Sequence, residues 1–274
     1  MILQSDPHPA LQHFIKRITL IRYQLDTSRP RPVNPFPPQP ENCLFFYPYD
    51  KVTCRNYADG RIEELPRSIL VGPQLSRVDL TIGYNMLVIM VSFHPGAMHR
   101  LLHIPMDEML GRPFDATLIL GREIEQITER LNEETEFNAM INIIQQYLFQ
   151  KTSVLKNRLP IEKVITQMIQ HKNYLNVDQL AKQACVSIRQ LERQFKERTG
   201  MPPKVFLRLV RFSKAWIMRE KNNEISWAKI AHACDYADQM HMIRDFKDFA
   251  GVSPGVLQTD LGKSSLRLQG TTID

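Results

Sequence analysis

Two eight-residue segments near the C-terminus carry the same side-chain types, fifty-one residues apart. The first is RQFKERTG (Arg193–Gly200) and the second is RDFKDFAG (Arg244–Gly251), and each is followed at the same distance by a proline, Pro203 or Pro254. Arginine can form paired hydrogen bonds with the edge of guanine, and lysine suits phosphate groups. These residue types favour contact with a nucleic acid.

Helices with one buried face are the elements expected to position these side chains. Leu191 and Phe195 are four residues apart, as are Met242 and Phe246, and residues at i and i+4 share a helix face. The opposite faces hold the candidate DNA contacts. These are Arg189, Gln190, Arg193 and Lys196 in the first helix and Gln239, Met240, His241, Arg244 and Lys247 in the second.

Signals for the ends of both helices are present. Ser187 followed by Gln190 predicts a capping box, and Asp238 is a candidate cap for the second helix. Gly200 and Gly251 supply the left-handed residue that ends each helix.

A shorter amphipathic helix is predicted before each of the two. Its apolar residues are Val177, Leu180, Ala181 and Ala184 in the first copy and Trp227, Ile230, Ala231 and Cys234 in the second. Short turns, CVS and DYAD, join the helices, and a central alanine allows them to cross closely, as in a helix-turn-helix. Two helical hairpins without a DNA-binding role would show the same periodicity.

The distribution of charge favours the DNA interpretation. Residues 158–274 contain 19 Lys or Arg and 12 Asp or Glu, whereas residues 1–157 contain 16 and 17. The positive excess therefore lies in the C-terminal part, which indicates an anionic partner there. A solvated face is the alternative, since both helices also carry acidic residues. These are Glu192, Glu197, Asp245 and Asp248.

A long helix is predicted between the two copies. Residues 202–222 begin with two prolines and carry one apolar stripe, formed by Phe206, Leu209, Val210, Ser213, Trp216 and Ile217. A helix of about 19 residues is about 28 Å long, and successive major grooves on one face of DNA are about 34 Å apart. The duplicated motif is thus explained if one chain contacts two successive major grooves.

Residues 160–261 resemble the DNA-binding domain of the AraC/XylS family of transcription regulators. The second motif, IAHACDYADQMHMIRDFKDFAGVSP (Ile230–Pro254), is similar to the signature stretch of that family, although Asp235 and Tyr236 stand where Gly and Phe are usual. Met240 and Met242 replace residues that are commonly Ser and Phe. The resemblance implies double-stranded DNA as partner, with RNA polymerase as a further contact.

Composition indicates a cytoplasmic globular protein. The hydrophobic content is 43% and the charged content 23%, and the longest apolar run, Met86–Val91, is too short to cross a bilayer. No signal peptide is expected. The four cysteines, which form no CxxC pair, are expected to be reduced core thiols.

The N-terminal half is predicted to be β-rich. A short helix is expected near Leu11–Ile21, and the proline-rich span Arg29–Asn42 is expected to be an irregular loop, with a partner-binding motif as the alternative. Five β-rich runs then predict a small antiparallel barrel or sandwich. They are NCLFFYPY, KVTCRNYA, RSILVG, RVDLTIG and NMLVIMVSF. This half is similar to the cupin-like sensor domains of the same family, which implies a small-molecule pocket.

No metal, cofactor or catalytic site is expected. The N-terminal half has no His-x-His pair of the kind that a metal-binding cupin needs. His99 and His103 have a spacing that can bind zinc on a helix, but no third ligand is evident, so an ordinary helix surface is the favoured interpretation. No nucleophile triad or phosphate-binding loop stands out.

Two helices are predicted to close the first half, one marked by Ile124, Ile127 and Leu131. The stripe of the other can pack on the barrel or meet a second chain, and the family resemblance implies a homodimer. Its members are Phe137, Met140, Ile141, Ile144 and Leu148. The expected division is a sensor at 1–150, a linker at 151–159, a DNA-binding domain at 160–262 and a tail at 263–274.

The sequence therefore predicts an α+β protein with a cupin-like barrel followed by an all-helical domain with two helix-turn-helix motifs. The leading hypothesis is a transcription regulator controlled by a small-molecule effector. One alternative is a constitutive regulator whose first domain only dimerises. The other is a cupin-type enzyme fused to a DNA-binding domain.

Overall fold

A computed structural model describes residues 1–170 and 177–263 of the chain, and it shows a β-rich half followed by an all-helical half. The predicted α+β class is confirmed. The strands are β1 (Ile2–Ser5), β2 (Ile15–Gln24), β3 (Val33–Phe36), β4 (Cys43–Phe46), β5 (Thr53–Asn56), β6 (Ile62–Glu64), β7 (Ser68–Val71), β8 (Val78–Thr81), β9 (Asn85–Phe93) and β10 (Pro113–Asp115). The helices are α1 (Ala97–Leu102), α2 (Ala116–Leu120), α3 (Glu123–Glu133), α4 (Phe137–Lys151), α5 (Pro160–Gln170), α6 (Val177–Gln183), α7 (Ile188–Thr199), α8 (Pro203–Lys221), α9 (Trp227–Ala233), α10 (Gln239–Ala250) and α11 (Pro254–Gly262).

Two antiparallel sheets make up the N-terminal half. The six-stranded sheet has the order β1-β2-β9-β4-β7-β10, and the four-stranded sheet has the order β3-β8-β5-β6. The five β-rich runs are confirmed as β4, β5, β7, β8 and β9. One apolar cluster joins the two sheets, and a second lies between the six-stranded sheet and the helices α1, α3 and α4.

The helix expected near residues 11–21 is wrong, since that stretch forms β2 after a short 3₁₀ helix at Pro9–Leu11. β2 pairs with a strand on each side. Ile18 and Leu20 enter the core beneath the helices, whereas Ile21 enters the core between the sheets. Because both faces of the strand are covered, its sequence lacks the alternation that identifies a half-buried strand.

The expectation that residues 29–42 lack regular structure is also wrong in part. β3 lies within this span and pairs with β8, with Pro35 opposite Asp79. β3 is an edge strand of its sheet. An edge strand has a free side, so a residue that cannot donate a backbone hydrogen bond is tolerated there.

Both helices that close the N-terminal half are present, as α3 and α4. Phe137 of α4 is half-buried and Phe149 is exposed, but six apolar side chains of the helix are buried in its own domain, which supports the intradomain alternative over a shared face. They are Met140, Ile141, Ile143, Ile144, Tyr147 and Leu148.

Of the two histidines of the predicted pair, His99 is buried, whereas His103 is exposed at the end of the helix. His99 is buried in α1, and its Nδ1 lies 3.0 Å from the carbonyl oxygen of Ile104. His103 ends the helix with φ of 62°, and its Nε2 lies 2.8 Å from the carbonyl oxygen of Val154. No cluster of three metal-ligating side chains occurs in residues 1–170 and 177–263.

The seven helices described in the C-terminal half share one core. α8 has the expected 19 residues, and its predicted apolar stripe is buried. α11 was not expected from the sequence, because its apolar residues follow no clear helical period. No described helix is long and apolar enough to cross a membrane. Residues 264–274 of the predicted tail lie outside the described residues.

A buried ion cluster joins the two halves. Glu162 of α5 lies 3.1 Å from the Nε of Arg100 in α1 and 3.6 Å from the Nε of Arg198 in α7. Burial raises the pKa of Glu162, and the neighbouring Arg100 guanidinium opposes that shift. A buried carboxylate needs such partners to remain charged, so the ions hold α1, α5 and α7 in one arrangement.

Candidate nucleic-acid interface and ligand cavity

The turns of the two helix-turn-helix motifs have the same backbone geometry. Cys185 and Asp235 take left-handed φ angles of 54° and 58°. The N–H of the next residue bonds back over the preceding turn in each motif, from Val186 to Ala181 (3.1 Å) and from Tyr236 to Ala231 (3.0 Å). This is the Schellman arrangement of a helix end, which usually has glycine at the left-handed position.

One cysteine therefore departs from the expectation of four core thiols. Cys43, Cys54 and Cys234 are buried, but Cys185 is exposed.

Glycine at either left-handed position should stabilise the protein. A non-glycine residue pays about 1–2 kcal/mol there, less for Asp, and glycine itself loses about 0.5–1 kcal/mol of chain entropy. We expect Cys185→Gly to raise the free energy of unfolding by about 1 kcal/mol, and Asp235→Gly to raise it less. Urea unfolding of the full chain measures both. Ala237→Gly, in the same turn without a positive φ, is the control that should destabilise.

The outer faces of α7 and α10 are as the sequence predicts. All nine candidate DNA contacts have exposed side chains, and the intended core residues Leu191, Phe195, Met242 and Phe246 are fully buried. Whether the nine side chains contact DNA stays a prediction.

Several of the nine side chains already have partners in the protein. The side chain of Gln190 accepts a hydrogen bond from the backbone N–H of Ser187 (3.1 Å), so the capping box is confirmed. The same side-chain amide is a candidate DNA contact. The Nζ of Lys196 lies 3.0 Å from Asp107 of the N-terminal half. His241 lies 3.3 Å from Asp238, whose carboxylate also caps α10.

Three cations on these faces are unengaged. The side chains of Arg189, Arg244 and Lys247 make no hydrogen bond or ion pair with another described residue. Arg193 has only a distant ion pair with Glu197, at 3.9 Å. These side chains are available to an external anion.

Asp245 and Asp248 of α10 both pair with a cation of α8, although Asp248 remains exposed. Arg208 of α8 donates from its Nε to Asp245 (2.9 Å) and also pairs with Asp248. Asp245 is buried. These bonds tie α10 to α8, and they leave its outer face more basic than the sequence alone indicates.

α8 packs against both α7 and α10. The ring of Phe206 meets Phe195 of α7 edge-on at 5.4 Å, and the ring of Phe212 meets Phe246 of α10 at 4.8 Å. The separation of α7 from α10 is therefore set by contacts to one continuous helix.

A largely apolar cavity lies between the two sheets of the N-terminal half. It contains about 740 Å³ of space, including its open mouth. Its walls include Phe36, Phe45, Tyr47, Leu65, Ile69, Leu80 and Met90. Burial raises the pKa of the lining thiols Cys43 and Cys54 to about 12, so both are neutral at physiological pH. The family resemblance predicts a small-molecule pocket in this half, but no pattern in the sequence identifies the residues that line it.

Known proteins resemble both halves of the chain. Residues 180–260 match a family described as a helix-turn-helix domain, and residues 3–115 match a domain of unknown function, DUF6597. The transcriptional activator RhaS of Escherichia coli O1:K1 is 24% identical over 146 residues, which cover 48% of this chain and 52% of RhaS. RhaS of Pectobacterium atrosepticum is 28% identical over 128 residues, covering 46% and 45%. The chain thus matches about half the length of these curated relatives.

Solved structures share the two-part architecture. ToxT from Vibrio cholerae superposes with a TM-score of 0.51 at 11% identity, over 91% of this chain and 98% of ToxT. Its form with a bound unsaturated fatty acid also has a TM-score of 0.51, at 9% identity, over 92% and 96%. At such identities the likeness concerns the fold. Residues 180–260 are thus an AraC-type helix-turn-helix domain, to which the RhaS relatives are similar.

Proposed function

We propose that the protein is a sequence-specific DNA-binding transcription regulator in which α7 and α10 read two successive major grooves. The observation that carries this proposal is the pair of exposed basic faces held on one 19-residue helix. At 1.5 Å per residue α8 is about 28 Å long, which is close to the groove repeat of about 34 Å. One chain can therefore span one turn of duplex DNA.

The N-terminal half is proposed to sense a small molecule. The cavity between the sheets supports this, because ligand sites are typically concave and apolar with a few polar groups. ToxT, which has a similar fold, has been solved with an unsaturated fatty acid bound. A constitutive regulator would have no use for a cavity of this kind, so the sensor is the favoured form of the proposal.

The domain bounds, the location in the cell and the protein partners are proposed on the basis of the same regulatory role. The proposal assigns the sensor to residues 1–150, the linker to 151–159 and the DNA-binding domain to 160–262, in a cytoplasmic protein without catalytic activity that also contacts RNA polymerase. Most of the apolar face of α4 is buried in its own domain, so this helix does not by itself indicate a dimer. The proposal of a homodimer therefore rests on the family resemblance. Analytical ultracentrifugation of the full chain, free and with DNA, tests the dimer.

Removing one reading arginine should cost affinity and selectivity together. We expect Arg193→Ala to weaken binding to the preferred site by about 1–3 kcal/mol and to relax the preference at one base position. Arg244→Ala should act likewise but less strongly, since Met240 and His241 offer fewer hydrogen bonds beside it. The two affected positions should lie about one DNA turn apart. Selection of binding sites from random duplexes, with footprinting of each variant, measures these effects.

Lys247→Ala is the matched control for this experiment. Lys247 is an exposed cation without an ion-pair partner among the described residues, and it lies on the edge of the same helix as Arg244, where it suits phosphate. Its removal should weaken all duplexes alike and leave the selected sequence unchanged. An arginine variant that keeps full affinity and full preference would show that its motif is a structural support.

A further inference from the structure

Residues 72–77 form one of the connections between the two sheets. β7 belongs to the six-stranded sheet and β8 to the four-stranded sheet, and this segment joins the end of one to the start of the other. The cavity lies between the same two sheets. A ligand that changes their separation therefore also moves this segment.

Side chains along the segment alternate between the cavity and the helical half. Gln74 and Ser76 line the cavity. Pro73, Leu75 and Arg77 instead contact the C-terminal half. A period of two is what an extended backbone produces. One short segment thus presents one face to a ligand and the other face to the DNA-binding domain.

Pro73 touches the end of the first reading helix. Gly200, which ends α7 with φ of 75°, is so close that a Cβ there would lie 2.5 Å from the Cγ of Pro73 and 2.9 Å from the carbonyl oxygen of Met106. A side chain at Gly200 would clash with the ring of Pro73, so the end of α7 lies directly against the segment. Leu75 packs into the C-terminal core beside this contact.

Arg77 holds the end of the second reading helix. Its backbone N–H donates to the carbonyl oxygen of Phe249 in α10 (2.9 Å), and its guanidinium donates to Asp260 of α11 (2.9 Å). A Cβ on Gly251, the residue that ends α10, would lie 2.5 Å from the ring of Tyr57, over which Arg77 also sits. The two glycines of the sequence repeat are therefore two of the points at which the C-terminal half docks on the N-terminal half.

We propose that residues 72–77 transmit occupancy of the cavity to the relative placement of α7 and α10. This inference rests on the proposed function, because it takes the cavity as a ligand site and these helices as DNA readers. The segment touches both helix ends within five residues, Pro73 to Arg77. A displacement on its cavity face tilts the two helices relative to α8 and changes their fit to successive grooves.

The cavity walls indicate the class of ligand. Glu41 is the one charged residue among the described lining residues, and Lys16 (2.8 Å) and Arg17 (3.1 Å) already neutralise it. The polar groups next to the transmitting segment are the uncharged side chains of Gln74 and Ser76. The cavity therefore suits an apolar molecule with one or two uncharged hydrogen-bonding groups.

Hydrogen exchange of the full chain, without DNA, tests the transmission. The probe is Nile red, a neutral apolar dye whose fluorescence rises in an apolar site. We expect Nile red to bind and to change the exchange rates of peptides covering residues 194–202 and 245–253 by about fivefold, the lower range of typical coupling between sites. Failure of the dye to bind, or exchange changes confined to residues 1–150, would overturn the proposal.

Two variants separate transmission from binding. Leu75→Ala, on the docking face, should bind Nile red normally but lose the exchange change in both peptides. Ser76→Phe, which fills the cavity, should weaken dye binding about tenfold by overpacking. Leu3→Ala, a matched truncation of a half-buried leucine in β1, should keep both properties. If Leu75→Ala does not fold, Pro73→Ser, which removes the ring at Gly200, takes its place.

The outcomes distinguish this inference from the proposed function. If Nile red still changes the exchange rates of both peptides in Leu75→Ala, residues 72–77 do not transmit the occupancy of the cavity, and the inference fails. If transmission occurs as expected but the chain binds no duplex DNA, the DNA-reading function fails and the coupling stands.

Discussion

Raising the salt concentration from about 50 to about 200 mM should weaken duplex binding by the full chain about 10³-fold, if about six phosphates are contacted. Each phosphate neutralised by a cation releases condensed counterions, and added salt opposes that release. The C-terminal half carries a net charge of +7, and the outer faces of α7 and α10 present five cations toward the proposed DNA. These are Arg189, Arg193, Lys196, Arg244 and Lys247.

Fluorescence anisotropy of a labelled duplex across a salt series measures this slope. Lys247→Gln should lower the slope by about one phosphate contact. Lys51→Gln is the control, because Lys51 is an exposed cation of the N-terminal half that pairs with Glu64. It should leave the slope unchanged. Affinity that does not respond to salt, or no binding to any duplex, would exclude DNA as the partner.

Truncating the central phenylalanine of either motif should unfold that motif. We expect Phe195→Ala and Phe246→Ala each to lower the free energy of unfolding by about 3–5 kcal/mol, because each leaves a cavity in a packed core. Both rings are fully buried, and Phe246 contacts the rings of Phe212, Trp216 and Trp227. The cost should be at the upper end for Phe246, since so rigid an aromatic cage cannot collapse into the space.

Urea unfolding of the full chain, followed by circular dichroism, measures the loss. Met240→Ala is the matched control, because Met240 is a large apolar side chain on the exposed face of the same helix as Phe246. Its effect should stay within about 0.5 kcal/mol. If the two phenylalanine variants unfold like the parent chain, the buried faces of α7 and α10 have been assigned wrongly.

The sequence by itself determined the helical half well, because the signals there are local. A stripe at i and i+4, a cap at Ser187 or Asp238 and a glycine at the end specify a helix within a dozen residues. The same reasoning predicted the length of α8 and the outward face of both reading helices. It missed α11, whose residues carry no comparable stripe.

In the N-terminal half, the conformation of some strands depends on segments that are distant in the sequence. β9 and the other four confirmed strands have β-rich runs bounded by turn residues. β2 was mistaken for a helix because both of its faces are covered by distant segments. β3 contains Pro35 and exists because β8 lies beside it. In such strands the pairing partner, which lies elsewhere in the chain, decides the conformation.

The contact between the halves was decided by the tertiary structure alone. The sequence identified Gly200 and Gly251 as helix ends, since glycine readily adopts the left-handed conformation that ends many helices. It could not show that both glycines also leave room for the N-terminal half, or that Asp107 reaches Lys196. These contacts join residues about 90 or more positions apart. No local pattern encodes such a pairing, because it exists only once both domains have folded and docked.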